Sequence, residues 1–362
     1  MTTSRPWYAT RGMVIHALDT TPTPRLAAAI DRALTAASTI VEERAGGRFF
    51  YPWWSTRSWD WPDAEAYTGR RLHLWSAPLT QVTAITVGGT VLAAGSYHLR
   101  PVSGPPYDTV LLDQDTLPGY WSTNPTTGVE DAVTIEGLWG HGADKTTPAG
   151  ALTAAGITDS ATTLLLGAVS QPLRADVGGI LEIEDEIVLV TEASWVDTTI
   201  DVGVGGLAAS VQATVLPVTS TTGLSPGQWI IVGGEKLLVV DVLGAASLLV
   251  ARAQHGTVLA SHAGGDAVLA PWSLTVERGL LGTTAVAHAA STPVSAHTPP
   301  GLVEQATIAS AIAQVLDQTA GYASPAGPSG GAQKAGVTGA GAGYLLDLVT
   351  STYALSTRRG AI

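Results

Sequence analysis

The sequence predicts an α+β protein: a helical core with a small antiparallel β meander, plus an inserted all-β module made of two related small β domains. Three observations predict it. Apolar residues recur at three- and four-residue spacing in two Ala-rich stretches, 24–41 and 299–316. Between residues 71 and 138 short runs alternate with period two and are broken by Gly-Gly and Pro turns. From residue 143 to 298 the composition shifts, and an internal repeat appears.

The first predicted element is a helix. Thr23 supplies a cap and Pro24 the first helical position, and Leu26, Ala29, Ile30, Ala33, Leu34, Ala37, Ile40 and Val41 make one stripe. Gly46-Gly47 stops it. A stripe this rich in Ala lets a neighbour, within the chain or from another subunit, approach closely.

An aromatic segment follows: Phe49, Phe50, Tyr51, Trp53, Trp54, Trp59 and Trp61. Such a strip suits sugar rings or stacked bases. It suits equally a core or an interface, where Trp is enriched. Base stacking comes with a basic groove, and only Arg48 and Arg57 are nearby, so core or interface is the expectation.

Strands are predicted next at 71–75, 77–87, 90–93, 96–100 and 109–112, with turns at Gly88-Gly89 and Gly104-Pro105-Pro106. The last strand of this body is Val133–Leu138, inside Asp131-Ala-Val-Thr-Ile-Glu-Gly-Leu-Trp-Gly-His-Gly142. Gly142 is where an insertion leaves the parent fold, and Thr298-Pro299-Pro300 is where the chain returns, into the second Ala-rich helix. That helix is expected to pack beside the first. A Gly-rich loop, 336–343, and a short end from Tyr344 to Tyr353 follow.

The inserted segment repeats itself. At a shift of 26, Leu248-Leu-Val-Ala-Arg252 matches Leu274-Thr-Val-Glu-Arg278, Gly256-Thr257 matches Gly282-Thr283, and His262 matches His288. At a shift of 49, Gly178…Glu186 matches Gly227…Glu235. The order is front, front, back, back. It implies nesting, an outer repeat of 162–194 with 272–295 around an inner repeat of 213–270. A tandem parse, with 198–206 as a worn back half, is the rival.

Composition limits the chemistry. At 362 residues the chain holds two or three domains. Zero Cys excludes disulfides, thiolate metal sites and cysteine nucleophiles. No apolar run spans a bilayer and no signal-peptide core opens the chain, so no membrane role is expected. Net charge is −12, and residues 141–298 carry five cationic side chains against fourteen carboxylates. Such a surface does not grip phosphates, although DNA can slide past it.

No catalytic, metal or cofactor-binding residue is expected. His262 and His288 occupy equivalent repeat positions with no ligand at metal spacing. Glu186 and Glu235 are likewise equivalents, and Glu182, Glu184, Asp185 and Glu186 suit a solvated edge. Gly223-Leu-Ser-Pro-Gly227 has the letters of a nucleophile elbow. Pro226 lacks the N–H that the oxyanion hole needs there, so a turn is expected. Gly339–Gly343 lacks the Lys-Ser/Thr of a phosphate loop.

Taken in order, the Pro-started helix ending at Gly-Arg-Phe, the aromatic Thr-Arg-x-x-Asp segment, Pro-Leu-x-x-Val-Thr-x-Ile, the Gly-Gly hairpin, Tyr-x-Leu-x-Pro, Pro-Pro-Tyr and Val-Thr-Ile-x-Gly-x-Trp-Gly resemble the head-to-tail connector (adaptor) proteins of long-tailed, siphovirus-type double-stranded-DNA phages. The resemblance covers 1–142 and 299–362. The repeat resembles small β domains of phage virion proteins. The resemblance implies a connector core over 1–142 and 299–362 and an inserted module over 143–298. It implies a structural, non-enzymatic virion protein of the neck, assembled in the host cytoplasm. Such proteins form a homo-oligomeric ring, a dodecamer, between the portal protein and a stopper or tail-terminator protein, and double-stranded DNA passes through without sequence-specific binding. The candidate interface residues are Phe49, Phe50, Trp53, Trp54, Trp59, Trp61, Tyr344, Tyr353, Arg358 and Arg359, the last two on a tail reaching toward the portal. The β module is expected on the outside of the ring. The alternative is a carbohydrate-binding phage adhesin or tail-associated β-repeat protein.

Overall fold

The structure is a computed structural model that describes residues 6–61, 67–74, 78–113, 121–140, 146–152, 156–166, 173–254, 257–322 and 340–353. It corrects the expected fold class. Among the described residues 38% lie in strands and 22% in helices, so the protein is mostly β rather than α+β with a helical connector core. The physical reason lies in the cores. Three buried clusters are built mainly from the alternating faces of strands, and one from helices. The Ala-rich helices offer small side chains, and they add a layer rather than a core for the whole chain.

The chain divides into two compact units. The first holds residues up to Ser38, Thr146–Thr298 and Glu304–Gly343; the second holds Thr39–Lys145, Pro299–Val303 and the segment from Tyr344. The helices thus group largely with the segment read as an insertion.

In the first unit, helix α1 (Arg11–Leu18) precedes the helix expected to come first. Thr10 caps it, its Oγ1 accepting from Met13 N at 3.2 Å. No apolar stripe announces so short a helix, and its cap is its main sequence mark. Helix α2 (Pro24–Arg44) has the predicted start: Thr23 Oγ1 accepts from Leu26 N at 3.2 Å. Its end is a Schellman turn. Gly47 N donates to Glu42 O at 2.8 Å, Gly46 N donates to Glu43 O at 3.1 Å, and Gly46 takes φ +74°. Helix α3 (Gly301–Tyr322) lies against α2, with Ala311 and Val315 in one buried cluster with Ile30, Ala33, Leu34 and Ala37. That is the packing expected of the two Ala-rich stretches.

The rest of this unit is a ten-stranded sheet whose path runs from Val215–Pro217 to Thr146–Ala151. Its spine is the 16-residue strand Glu186–Asp201 paired antiparallel with Ala267–Glu277. Register shifts at 190/192, 194/195 and 197/200 break that ribbon. One end of it, at Val188, Val190, Leu274 and Val276, belongs to the outer core; the other end, at Ile200, Val268 and Ala270, belongs to the inner core. The two modules are therefore nested, and the bulges let one pair of strands serve both. The outer module also takes Ala149 and Leu152, upstream of residue 162 where the repeat is first legible.

Helices and modules are tied by polar contacts. Arg11 binds Asp31 through two bonds, Nε at 2.7 Å and Nη2 at 2.5 Å. Arg11 N donates to Val177 O at 2.9 Å, and Arg174 forks onto Glu304 at 2.6 and 3.2 Å. Gly12 packs where a Cβ would lie 2.2 Å from Asp176 Oδ2.

The second unit carries two four-stranded sheets around one core, not one meander. Strand Val133–Trp139 sits between Trp53–Trp59 and Leu79–Val87, with Thr90–Val91 beyond. The other sheet runs Tyr67–Thr68, Arg71–His73, Thr109–Leu112, Tyr97–Arg100. Ile85, Val133, Ile135 and Trp139 from the first meet Leu72, Val110 and Leu112 from the second. At Gly137 a Cβ would lie 2.2 Å from Gln81 O, so only glycine fits this crossing. Helix α4 (Ala340–Tyr353) is longer than expected. Residues 340–343 of the predicted Gly-rich loop are its first turn, and 336–339 lie outside the described residues. Among the described residues no helix is long and apolar enough to cross a membrane.

Candidate functional site

The conspicuous polar arrangement is a buried Glu–Arg–His node that occurs once in each nested module. In the inner one, Glu235 Oε1 accepts from Arg252 Nε at 2.8 Å and from Ala253 N at 2.9 Å. Its Oε2 accepts from Arg252 Nη2 at 2.8 Å and from Ala260 N at 3.0 Å, and lies 2.9 Å from His262 Nε2. The guanidinium then caps the carbonyls of Ala208, Ala213 and Ala260 at 2.9, 3.1 and 2.5 Å. One carboxylate and one guanidinium thereby close three loops.

The outer node repeats this geometry. Glu186 accepts from Arg278 Nε at 2.5 Å and Nη2 at 2.6 Å, and from the N–H groups of Gly279 and Val286 at 3.1 Å each. His288 Nε2 lies 2.9 Å from Glu186 Oε2. Arg278 caps Thr158, Ala161 and Val286. Even the flanking bond repeats: Ile187 N donates to Thr283 Oγ1 at 3.0 Å, and Lys236 N to Thr257 Oγ1 at 3.1 Å.

The copies differ at one place. Glu184, at φ +55°, holds His288 Nδ1 at 2.7 Å. Its counterpart is Gly233, at φ +54°, which leaves His262 without that carboxylate. The expected solvated acidic edge holds for Glu184 and Asp185, which are exposed, and is corrected for Glu186. Strand Ile180–Ile183 lies inside the sheet, Glu186 is buried at its turn, and Glu182 pairs with His297 at 3.0 Å. Sequence reading paired neither His with a carboxylate, because the partners lie 27 and 102 residues away. A signal was present: Glu, Arg and His recur together in both copies.

Both carboxyls stay ionised to low pH. Burial pushes each upward, but the arginine bonds, with backbone N–H and histidine donors, outweigh it and hold Glu186 and Glu235 at about 2. The Glu side chains are 0% exposed and every oxygen is taken up internally. This chemistry holds loops together and leaves no group to meet a substrate. Among the described residues no cluster of His, Asp or Glu is arranged to hold a metal. Ser225, of the elbow-like motif, sits in a turn with its N–H donating to Gln228 Oε1 at 3.1 Å.

The aromatic candidates belong to the second unit. Phe50 is buried and meets Tyr353 edge-on at 5.2 Å between centroids. Phe49 meets Trp53 at 5.8 Å. Trp59 and Trp61 pack on the core, Trp59 at 5.8 Å from Trp139. Trp139 is fixed by an Nε1 bond to Ser55 O at 2.8 Å and by the Arg57 guanidinium 4.7 Å from its ring. Trp54 is half-buried on the same strand. Trp53 is 43% exposed and Tyr344 67%. Arg358 and Arg359 lie outside the described residues.

The chain matches no family model, no curated protein and no solved structure.

Proposed function

We propose that the chain is a structural virion protein, the adaptor ring between portal and tail of a long-tailed phage, with genomic DNA passing through it. The observation that carries this reading is the packing of α3 on α2. It joins elements on either side of the 146–298 segment in the order that the resembled connectors follow, however large the segment between them. The repeat modules fit a scaffolding role, since their buried ionic groups are satisfied internally. Most of the net charge of −12 lies in residues 141–298, and the remaining chain has no cationic excess with which to grip passing DNA. In this reading the ring is a homo-oligomer, a dodecamer, that meets the portal protein on one side and a stopper or tail-terminator protein on the other, in the neck of the virion.

Electron-microscopy class averages of the purified protein, alone and mixed with portal protein, test it. Rings that bind portal are the expected result. A monomer or trimer that binds glycans and ignores portal overturns it in favour of an adhesin.

A further inference from the structure

Strand Trp53–Trp59 is the outer strand of its sheet, and among the described residues no strand pairs with its other side. The remaining outer strands are blunted. Val215–Pro217 and Thr146–Ala151 each contain a proline. Tyr67–Thr68, Thr90–Val91 and Thr163–Leu165 are two or three residues long. Tyr97–Arg100 is four residues long and runs into Pro101. Shortness, proline and charge are the means by which folded proteins keep a sheet edge from pairing. Trp53–Trp59 has seven residues, no proline and a single charge, Arg57, which is turned over the Trp139 ring.

The opposite side of the same sheet has a matching opening. Leu79–Val87 is nine residues long; Thr90–Val91 covers Thr86 and Val87, Leu92 N donates to Ile85 O at 2.8 Å, and Tyr107 bridges Leu79. The opening is therefore the five residues 80–84, which carry two register shifts against Val133–Trp139. Residues 80–84, Thr-Gln-Val-Thr-Ala, carry no charge and no proline. Both open strands are antiparallel to Val133–Trp139, so they run in the same direction. Unlike edges on opposite sides of one sheet suit a head-to-tail contact, which closes into a ring if the rotation closes. Self-pairing of Trp53–Trp59 would stop at a dimer.

We propose that Trp53–Trp59 of one copy adds to the open edge of Leu79–Val87 in the next copy, continuing the sheet from subunit to subunit. The occupant is a second copy because the two edges match in direction and in their lack of charge, and the contact covers exposed Trp53. The inference rests on the ring reading above and names the contact that builds it.

The chain contains no Cys, so introduced thiols report cleanly. Thr56 and Ala84 share a face of the sheet, both paired with Glu136. Within one chain they are two strand spacings apart, roughly 10 Å, beyond disulfide reach. Three double variants, Thr56→Cys with Gln81→Cys, Thr83→Cys or Ala84→Cys, span the possible registers, with circular dichroism to verify folding. On oxidation at least one is expected to give a ladder of covalent multimers on a denaturing gel, while each single variant stays monomeric there. Covalent dimers from Thr56→Cys alone mean self-pairing and overturn the proposal. Rings in the microscope with no ladder from any folded double variant overturn this contact and leave the adaptor reading standing. Neither rings nor ladder overturns both.

Discussion

Glu186 and Arg278 meet as a two-bond ion pair across 92 residues, and their counterparts Glu235 and Arg252 meet across 17. The whole inner module lies inside the longer of these two loops. The outer node therefore closes only after the inner module is in place or looped out, whereas the inner node is local.

Removing one member of a buried pair strands the other charge. Glu235→Gln is expected to destabilise the inner module by about 3–5 kcal/mol. Because each module has its own core, amide exchange protection should fall over 229–251 and hold over 180–188. A uniform loss across both segments would mean that the modules do not unfold separately.

Acid should release both nodes together. Glu186 and Glu235 are held at about 2, below the ordinary 4.5. The unfolded chain therefore takes up protons first as pH falls. The stability these groups contribute is complete above about 4.5 and is lost as pH falls toward about 2. Thermal midpoints measured from pH 6 to 2.5 should drop most steeply below 4.5. The drop should be shallower in a variant with both glutamates changed to glutamine, which starts from a lower midpoint.

Gly233 and Glu184 occupy the same left-handed position. Gly233→Ala should cost roughly 1 kcal/mol, because an L residue pays for positive φ. Glu184→Gly should change stability by less than about 1 kcal/mol, since relief of that strain offsets loss of the His288 contact. Chemical denaturation of both variants tests the pair; equal losses would be inconsistent with a conformational cause.

Gly12 is limited by space. Its added Cβ would meet Asp176 Oδ2 at 2.2 Å, so Gly12→Ala should cost about 1–3 kcal/mol through overpacking. Combining it with Asp176→Ala should recover part of that loss, measured as a double-mutant cycle. Simple additivity would place the cause elsewhere.

Much of the local structure was legible. Thr23-Pro24 and Gly46-Gly47 mark α2 because capping and positive φ are properties of a few neighbouring residues. Strands 79–87, 109–112 and 133–139 show through alternation and turn residues. Helix α1 was not legible, being eight residues with only Thr10 to announce it. The site was half legible: Glu186, Glu235, His262 and His288 stood out as repeat equivalents, but not as each other's partners.

What the sequence by itself determined is the presence of an internal repeat, with a nested and a tandem parse both open, and the Ala-rich stretches on either side of it. Both follow from short-range pattern and from self-similarity. Only the tertiary structure decided that the protein is mostly β, that the meander is two sheets, and that Glu186, expected at a solvated edge, lies buried on arginine. The reason is physical. Such outcomes depend on which strands pair across large separations. In the ribbon of Glu186–Asp201 with Ala267–Glu277, that pairing carries Arg278 to Glu186 and the inner module to its place.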